Sequence, residues 1–158
     1  MKIEYVEGNL FNGSEEIICH GCNAQGVMGS GIAKIVKEDY NYAFQDYRTA
    51  YEKCGLQVGM IVVSEGNFGQ PIIINAITQE NYGRNPSTRY VSYLGVRKAI
   101  KRVNSWVKDA DKRGCTIAFP MIGAGLGNGD WDTIANILEQ ESVDFIPRVY
   151  RYKDEHAE

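Results

Sequence analysis

Two glycine-rich stretches, each placed between strand-forming residues and the start of a helical pattern, constrain this chain more than any other feature. The first covers residues 20–33 (HGCNAQGVMGSGIA) and follows the apolar run 17–19. The second covers residues 123–129 (GAGLGNG), follows the apolar run 115–119 and precedes a helical pattern that opens at Asp130. A strand that passes through a glycine loop into a helix leaves backbone N–H groups unpaired at the positive end of the helix dipole. The two loops therefore predict a ligand with two phosphates, or one diphosphate held from both sides.

The remaining patterns predict an α/β fold. Runs rich in β-branched and aromatic residues indicate six strands, near residues 2–6, 17–20, 60–64, 72–77, 115–119 and 145–152. Amphipathic periodicity indicates three helices, over residues 31–53, over residues 89–113 and from residue 131 onward. Since the third and fourth strands are joined by a short glycine turn, we expect them to form a hairpin. This order predicts one α/β sandwich with a mixed sheet over residues 1–152, followed by a charged, frayed tail over 153–158.

Composition excludes several classes of function. The net charge of −3 over 158 residues lacks the basic excess of nucleic-acid-binding proteins, so nucleic acid is not an expected partner. No apolar run approaches the ~20 residues of a membrane span, and no signal peptide is visible at the start. The four cysteines are scattered, which favours a reducing cytoplasm. Cys19, His20 and Cys22 lack the second ligand pair of a tetrahedral zinc site, so we expect no metal.

Two common nucleotide-binding motifs are absent. No GK[ST] sequence occurs, so a P-loop would lack both its lysine and its magnesium-binding hydroxyl. Neither glycine loop matches the GxGxxG pattern of dinucleotide-binding folds, which disfavours dehydrogenase chemistry. Phosphate binding by the glycine backbone remains.

The glycine loops resemble those of the macro domain, the ADP-ribose-binding module. The resemblance rests on the sequence from Asn23 to Ala33, on that from Pro120 to Gly127 and on Gly8-Asn9-Leu10, and it extends over residues 2–152. It implies a three-layer α/β/α fold with a mixed, mostly parallel central sheet. It also implies an ADP-ribose derivative as the ligand, an ADP-ribosylated protein as a second candidate partner, and no cofactor.

The resemblance assigns roles to individual residues. Asn9 occupies the position of an aspartate that accepts a hydrogen bond from the adenine amino group, and Asn23 matches the asparagine that contacts the distal ribose. Tyr150 or Tyr152, on the last strand, would pack against adenine or belong to the core. The complete set of ligand-binding candidates is Gly8, Asn9, Leu10, Asn23, Gly29, Ser30, Gly31, Ile32, Gly123, Ala124, Gly125, Leu126, Gly127 and Tyr150.

Among macro domains, the chain most resembles the ADP-ribose 1''-phosphate phosphatases. A neighbouring subgroup, which removes ADP-ribose from acidic side chains or acyl groups from O-acyl-ADP-ribose, relies on a lysine and an aspartate. Here those positions are Gln79 and Gly127, and a glutamine amide cannot form a covalent adduct with a ribose aldehyde. The phosphatase is therefore the first prediction. A non-catalytic ADP-ribose reader and the ADP-ribosyl hydrolase or deacylase are the alternatives.

Two residues are candidates for catalysis. His20 is expected at the mouth of the first loop, where an imidazole with a pKa near ~6.5 suits acid–base work, although it would equally be held by strand-end backbone groups. Asp130 would orient a water, or cap the helix that follows it. The polar segment 79–88 is expected to overhang the site, where Asn81, Tyr82 and Arg84 would face the terminal phosphate.

Overall fold

One sheet of six strands organises the described part of the protein. The computed structural model describes residues 1–151, so Tyr152 and the predicted tail lie outside the described residues. The strands are β1 (Glu4–Glu7), β2 (Ile17–Asn23), β3 (Ile61–Ser64), β4 (Ile72–Gln79), β5 (Thr116–Phe119) and β6 (Ile146–Arg151). Their order in the sheet is β1-β6-β5-β2-β4-β3, with β3 antiparallel to β4 and the other neighbours parallel. The predicted mixed, mostly parallel sheet and the β3–β4 hairpin are confirmed.

Within residues 1–151, four α-helices cover the two faces of the sheet. They are α1 (Gly31–Asp39), α2 (Asn41–Cys54), α3 (Tyr93–Asp109) and α4 (Trp131–Glu141). One apolar cluster joins α1 and α2 to Ile73 of β4, and the other joins α3 and α4 to Ile74, the next residue of the same strand. Successive strand residues point to opposite faces, so both faces of this strand are buried. The three-layer α/β/α fold is confirmed. No helix in residues 1–151 is both long and apolar enough to cross a lipid bilayer.

The first predicted helix is interrupted at Tyr40, so the expectation of one helix extending to Lys53 is wrong. Tyr40 has φ −133° and ψ 57°, outside the helical region, and separates α1 from α2. Its ring stacks on Phe11, with 5.4 Å between the ring centroids. Its N–H still donates to Val36 O at the end of α1, and its carbonyl accepts from Ala43 N at the start of α2, so both backbone groups of Tyr40 are hydrogen-bonded.

The carboxyl ends of the parallel strands position three loops at one edge of the sheet. The first glycine loop follows β2, the segment 80–92 follows β4, and the second glycine loop follows β5. Ligand sites in α/β proteins form where parallel strands end, because the loops that follow neighbouring strands meet there. The site described below occupies this edge.

Candidate functional site

Both glycine loops line one cleft of about 760 Å³. Gly29, Ser30, Gly31 and Ile32 line it from one side, and Gly125 with its loop neighbours lines it from the other. The loops are close to each other, since a methyl group on Gly31 would lie 3.5 Å from Leu126 Cδ1. The two loops therefore face a common cleft, as the sequence predicts.

Unpaired backbone donors belong to both loops. The N–H groups of Gly31, Ile32 and Ala33 lie in the first turn of α1, where the helix offers them no acceptor. In the second loop, the N–H groups of residues 125–127 donate to no acceptor among residues 1–151. Ala124 differs, because its N–H donates to Met121 O at 3.1 Å. The cleft thus offers N–H groups and a helix N-terminus from two sides, which suits an anion with several oxygens.

The second loop is held in shape by its own glycines. Gly123 has φ +77°, and a methyl group there would lie 2.7 Å from Val91 Cγ2. At Gly127 a methyl group would lie 2.7 Å from the Gly123 carbonyl oxygen. Asn128, also at positive φ, donates from its amide to Asn85 O at 3.1 Å and to Thr88 O at 2.8 Å. The loop and the segment 80–92 therefore form one connected wall.

A second cavity, of about 390 Å³, adjoins the cleft. The two share Ile32, Pro120, Met121 and Gly125, and the second adds a largely apolar set of residues: Asn9, Leu10, Ile35, Ala124 and Tyr150. An elongated ligand can therefore lie across both.

Tyr150 is both a core residue and part of the wall of this second cavity. It is 8% exposed, and its hydroxyl donates to the carboxylate of Glu15. Burial and this hydrogen bond raise the pKa of Tyr150 to about 12. Asn9 also lines this cavity, and its Oδ1 accepts from Phe11 N at 2.9 Å and keeps a further lone pair for another donor.

Asn23 is fixed in orientation at the cleft wall. Its Oδ1 accepts from Gln25 N at 2.9 Å and from the Tyr47 hydroxyl at 3.0 Å, and its Nδ2 donates to Val27 O at 3.0 Å. An amide held by three partners presents one defined edge to the cleft.

The segment after β4 forms part of the cleft, as predicted, although Asn81 is not among the residues that line it. Tyr82 and Arg84 line the cleft, and Arg84 donates to Ser30 Oγ at 3.1 Å. Gln79 also lines it, with its amide donating to Asn81 O at 2.7 Å. Among the described residues that line the cleft, Arg84 is the only one with a charged side chain at neutral pH. Residues 1–151 contain no group of three or more His, Cys, Asp or Glu side chains placed to hold a metal ion.

The predicted position of His20 is wrong, because the side chain does not reach the cleft. The strand β2 continues to Asn23, so His20 lies inside the sheet and is 0% exposed. Its Nε2 donates to Asn75 Oδ1 at 2.7 Å, and Cys22 Sγ lies 3.6 Å from the same nitrogen. Burial lowers the pKa of His20 to about 4 despite the hydrogen bond to Asn75. In this position the imidazole is a neutral core group.

Asp130 and Gly8 also lie outside both cavities. Asp130 caps α4, with Oδ2 accepting from Thr133 N at 3.0 Å and from the Thr133 hydroxyl at 2.7 Å. These hydrogen bonds hold the pKa of Asp130 below its ordinary value. The alternative of a helix cap is thus confirmed. Gly8 donates from its backbone to Arg151 O at 3.0 Å, which joins the end of β1 to β6.

The sequence did not single out the floor of the cleft. Gly21 of β2 and Thr78 of β4 lie there together with Ile122. The signal that would have identified them is their place at the carboxyl ends of parallel strands, which requires knowing how far each strand extends.

Comparison with known families adds to this geometry. The family model described as "Macro domain" matches residues 19–138, the greater part of the chain. This chain belongs to the macro domain family. The macrodomain of Thermus aquaticus DarG is a similar solved structure, with a TM-score of 0.80 and 28% identity, covering 94% of this macro domain and 97% of that chain.

Two curated relatives illustrate the activities with which such domains occur. A "DNA ADP-ribosyl glycohydrolase" of Thermus aquaticus is 28% identical over 87% of this macro domain, which spans only 37% of that relative's length. An "ADP-ribose 1''-phosphate phosphatase" of Candida albicans is 23% identical over 87% of this macro domain and 92% of that relative. Both relatives are named as hydrolases of ADP-ribose compounds.

Proposed function

We propose that this macro domain binds ADP-ribose derivatives in the cleft and hydrolyses ADP-ribose 1''-phosphate to ADP-ribose and phosphate. The observation that carries the proposal is the continuity of the two cavities. A cavity walled by Tyr150 adjoins a cleft in which two glycine loops supply unpaired N–H groups. An aromatic base followed by a diphosphate matches these two environments in that order.

The order of the strands sets the direction of the ligand. The second cavity, which we assign to adenine, contains Tyr150 of β6. The second glycine loop follows β5, the first follows β2, and Gln79 ends β4. These four strands are consecutive in the sheet. We therefore place adenine by Tyr150, the diphosphate between the loops, and the distal ribose near Asn23 and the end of β4.

For this reaction the protein must mainly position the reactants and stabilise the charge of the phosphoryl group. A water oxygen attacks phosphorus, the bond from phosphorus to the oxygen on C1'' breaks, and the ribose hydroxyl leaves with a proton. The transition state of phosphoryl transfer is loose, so its main requirement is electrostatic stabilisation of the phosphoryl oxygens. Arg84, in the segment that follows β4, is a charged residue of the cleft wall near the end where we place the distal ribose. We assign it to the terminal phosphate.

Gln79 favours the phosphatase over a glycohydrolase that acts through a lysine adduct. A primary amide has no basic lone pair on nitrogen, so it cannot attack the ribose aldehyde. The name of the Thermus aquaticus relative nevertheless makes ADP-ribosylated DNA a substrate worth testing, alongside ADP-ribosylated protein.

A second candidate function is a reader that binds ADP-ribose without turnover. The observation that favours it is the lining of the cleft, which within residues 1–151 includes no carboxylate and no imidazole to transfer a proton. Both candidates share the same binding mode.

One experiment separates these functions. The protein is incubated with ADP-ribose 1''-phosphate while free phosphate is measured, and ADP-ribose binding is measured by calorimetry. We expect micromolar binding and catalytic phosphate release. Binding without release would leave the reader, and release of ADP-ribose from labelled DNA or protein glutamate would indicate the glycohydrolase. Failure to bind ADP-ribose would overturn every one of these assignments.

A further inference from the structure

Thr78 is an almost fully buried residue whose hydroxyl has no hydrogen-bond partner among the described residues. Thr78 is the penultimate residue of β4 and is 1% exposed. Its Oγ1 forms no hydrogen bond with any residue between 1 and 151, although its backbone carbonyl accepts from Ser92 N. Every fully buried side-chain nitrogen or oxygen in that part of the chain does have a partner. The Thr78 hydroxyl must therefore reach the surface of the cleft that the residue lines.

Gly21 leaves this hydroxyl accessible. A methyl group at Gly21 would lie 2.8 Å from Thr78 Oγ1 and 3.1 Å from Ile122 Cγ1. Gly21 has an extended backbone that other residues can adopt, so the local conformation does not demand a glycine. The absent side chain instead opens the floor of the cleft above the Thr78 hydroxyl.

The position of Thr78 along the cleft identifies the part of the ligand that it meets. Tyr150 lies on β6 and Thr78 on β4, three strand spacings apart in the order β6-β5-β2-β4. At about 4.8 Å per spacing, this places Thr78 roughly 14 Å across the sheet from the adenine cavity. The diphosphate-binding loops lie between the two. Thr78 is thus at the end of the cleft that the distal ribose would occupy.

We propose that Thr78 is a ligand-contacting residue whose hydroxyl hydrogen-bonds the distal ribose of ADP-ribose. This inference rests on the proposed binding mode. A ribose hydroxyl both donates and accepts, and so does Oγ1, so the two can form a hydrogen bond where the described residues offer Oγ1 no partner. Thr78 then distinguishes ADP-ribose from ADP, which has the adenine and the diphosphate but no distal ribose.

Calorimetry on Thr78→Val with ADP-ribose and with ADP tests the proposal. The substitution removes the hydroxyl and keeps the branched shape. We expect ADP-ribose affinity to fall about three- to tenfold, the effect of losing one neutral hydrogen bond, while ADP affinity is unchanged. Thr78→Ser keeps a hydroxyl and should retain most of the ADP-ribose affinity. Thr116→Val, the same change in β5 outside both cavities, is the matched control.

Thermal unfolding tests whether the Thr78 hydroxyl has a structural role, because the loss of a structural hydroxyl would lower the melting temperature. Because Oγ1 has no partner in the described part of the chain, Thr78→Val should melt no lower than the wild type. Gly21→Ala is a second variant, whose methyl group covers the hydroxyl and should also weaken ADP-ribose more than ADP. Equal weakening of both ligands, or unchanged ADP-ribose affinity in Thr78→Val, would overturn the proposal alone. A wild type that binds ADP but not ADP-ribose would overturn the proposed function and this inference together.

Discussion

Arg84 Nη2 donates a hydrogen bond to Ser30 Oγ at 3.1 Å, and this contact spans the mouth of the cleft. Ser30 precedes α1 in the first glycine loop, whereas Arg84 belongs to the segment that follows β4. The same segment is tied to the second glycine loop, since Tyr90 N and Val91 N both donate to Gly127 O. A single stretch of chain therefore links both loops and carries Arg84, a charged residue of the cleft wall.

Arg84→Gln should lower kcat/KM for ADP-ribose 1''-phosphate about tenfold and change ADP-ribose affinity little. A hydrogen bond to a charged group contributes roughly 1.5–3 kcal/mol, and the exposed mouth of the cleft favours the lower end of that range. The measurement is phosphate release at low and high ionic strength, where salt should narrow the gap between the two proteins. Arg113→Gln is the matched control, because that arginine lies outside both cavities with a side chain 69% exposed. Equal losses in the two variants would contradict the assignment.

His20 should make the protein less stable in mild acid. Its folded pKa of about 4 lies below the ~6.5 of an unfolded histidine. Between these two pH values the unfolded chain therefore binds a proton that the folded chain does not. The free energy of unfolding that depends on a neutral His20 is fully present above pH ~6.5 and decreases as the pH falls. It is lost by pH ~4, with a total change on the order of 3 kcal/mol. The neighbouring Cys22 does not share this titration, because burial raises the pKa of its thiol well above the ordinary value.

Urea unfolding of the wild type and of His20→Gln, measured from pH 7 to pH 4.5, checks this expectation. The variant should show the shallower loss of unfolding free energy with acid. It should also keep phosphate release under conditions where it remains folded, because the imidazole lies outside the cleft. Loss of turnover with intact ADP-ribose affinity would mean that His20 takes part in the reaction after all.

Asp130→Ala should destabilise α4 without reducing phosphate release. The variant loses the acceptor for Thr133 N, and helix caps of this kind stabilise measurably. Because the folded pKa of Asp130 is lowered, its contribution is present above the unfolded carboxyl pKa and is lost as the pH falls through the folded pKa. Thermal melts at neutral pH should show a drop of a few degrees, which shrinks in acid. Asp132→Ala, in the first turn of the same helix, removes a charge but no cap and should melt closer to the wild type.

The order of the elements could be predicted because periodicity and loop chemistry agreed. The adjacent apolar residues Ile73 and Ile74 predict a strand buried on both faces, and they lie in clusters on opposite sides of β4. Each glycine loop was recognisable by the strand before it and the helix after it. Because parallel strands bring such loops to one edge of the sheet, their shared cleft followed from local sequence alone.

The residues that were misplaced depend on lengths that local patterns do not determine. The apolar run before the first loop suggested that β2 ends at His20, but pairing with β4 extends it to Asn23 and turns the imidazole into the core. The break at Tyr40 occurs where its ring stacks on Phe11, a contact between segments that periodicity cannot report. Thr78 was missed for the same reason, since its free hydroxyl is visible only once its neighbours are known.

Gly125→Ala should leave the fold intact and abolish much of the ADP-ribose binding. Gly125 lies in the region of φ that other residues adopt, and a methyl group there would meet no atom of residues 1–151 within 4 Å. It lines both cavities, so the methyl group would occupy space that the proposed diphosphate needs. The melting temperature should stay within a degree or two of the wild type, because alanine also restricts the unfolded chain slightly more than glycine.

Gly127→Ala provides the contrast on the same loop. Its methyl group would lie 2.7 Å from the Gly123 carbonyl oxygen, a backbone atom that cannot move aside without distorting the turn. This variant should therefore melt well below both the wild type and Gly125→Ala, with binding lost as a consequence of the damaged loop. Calorimetry with ADP-ribose beside thermal melts separates the two cases. If Gly125→Ala bound ADP-ribose as the wild type does, the ligand could not lie between the loops, and the functional assignment would have to be abandoned.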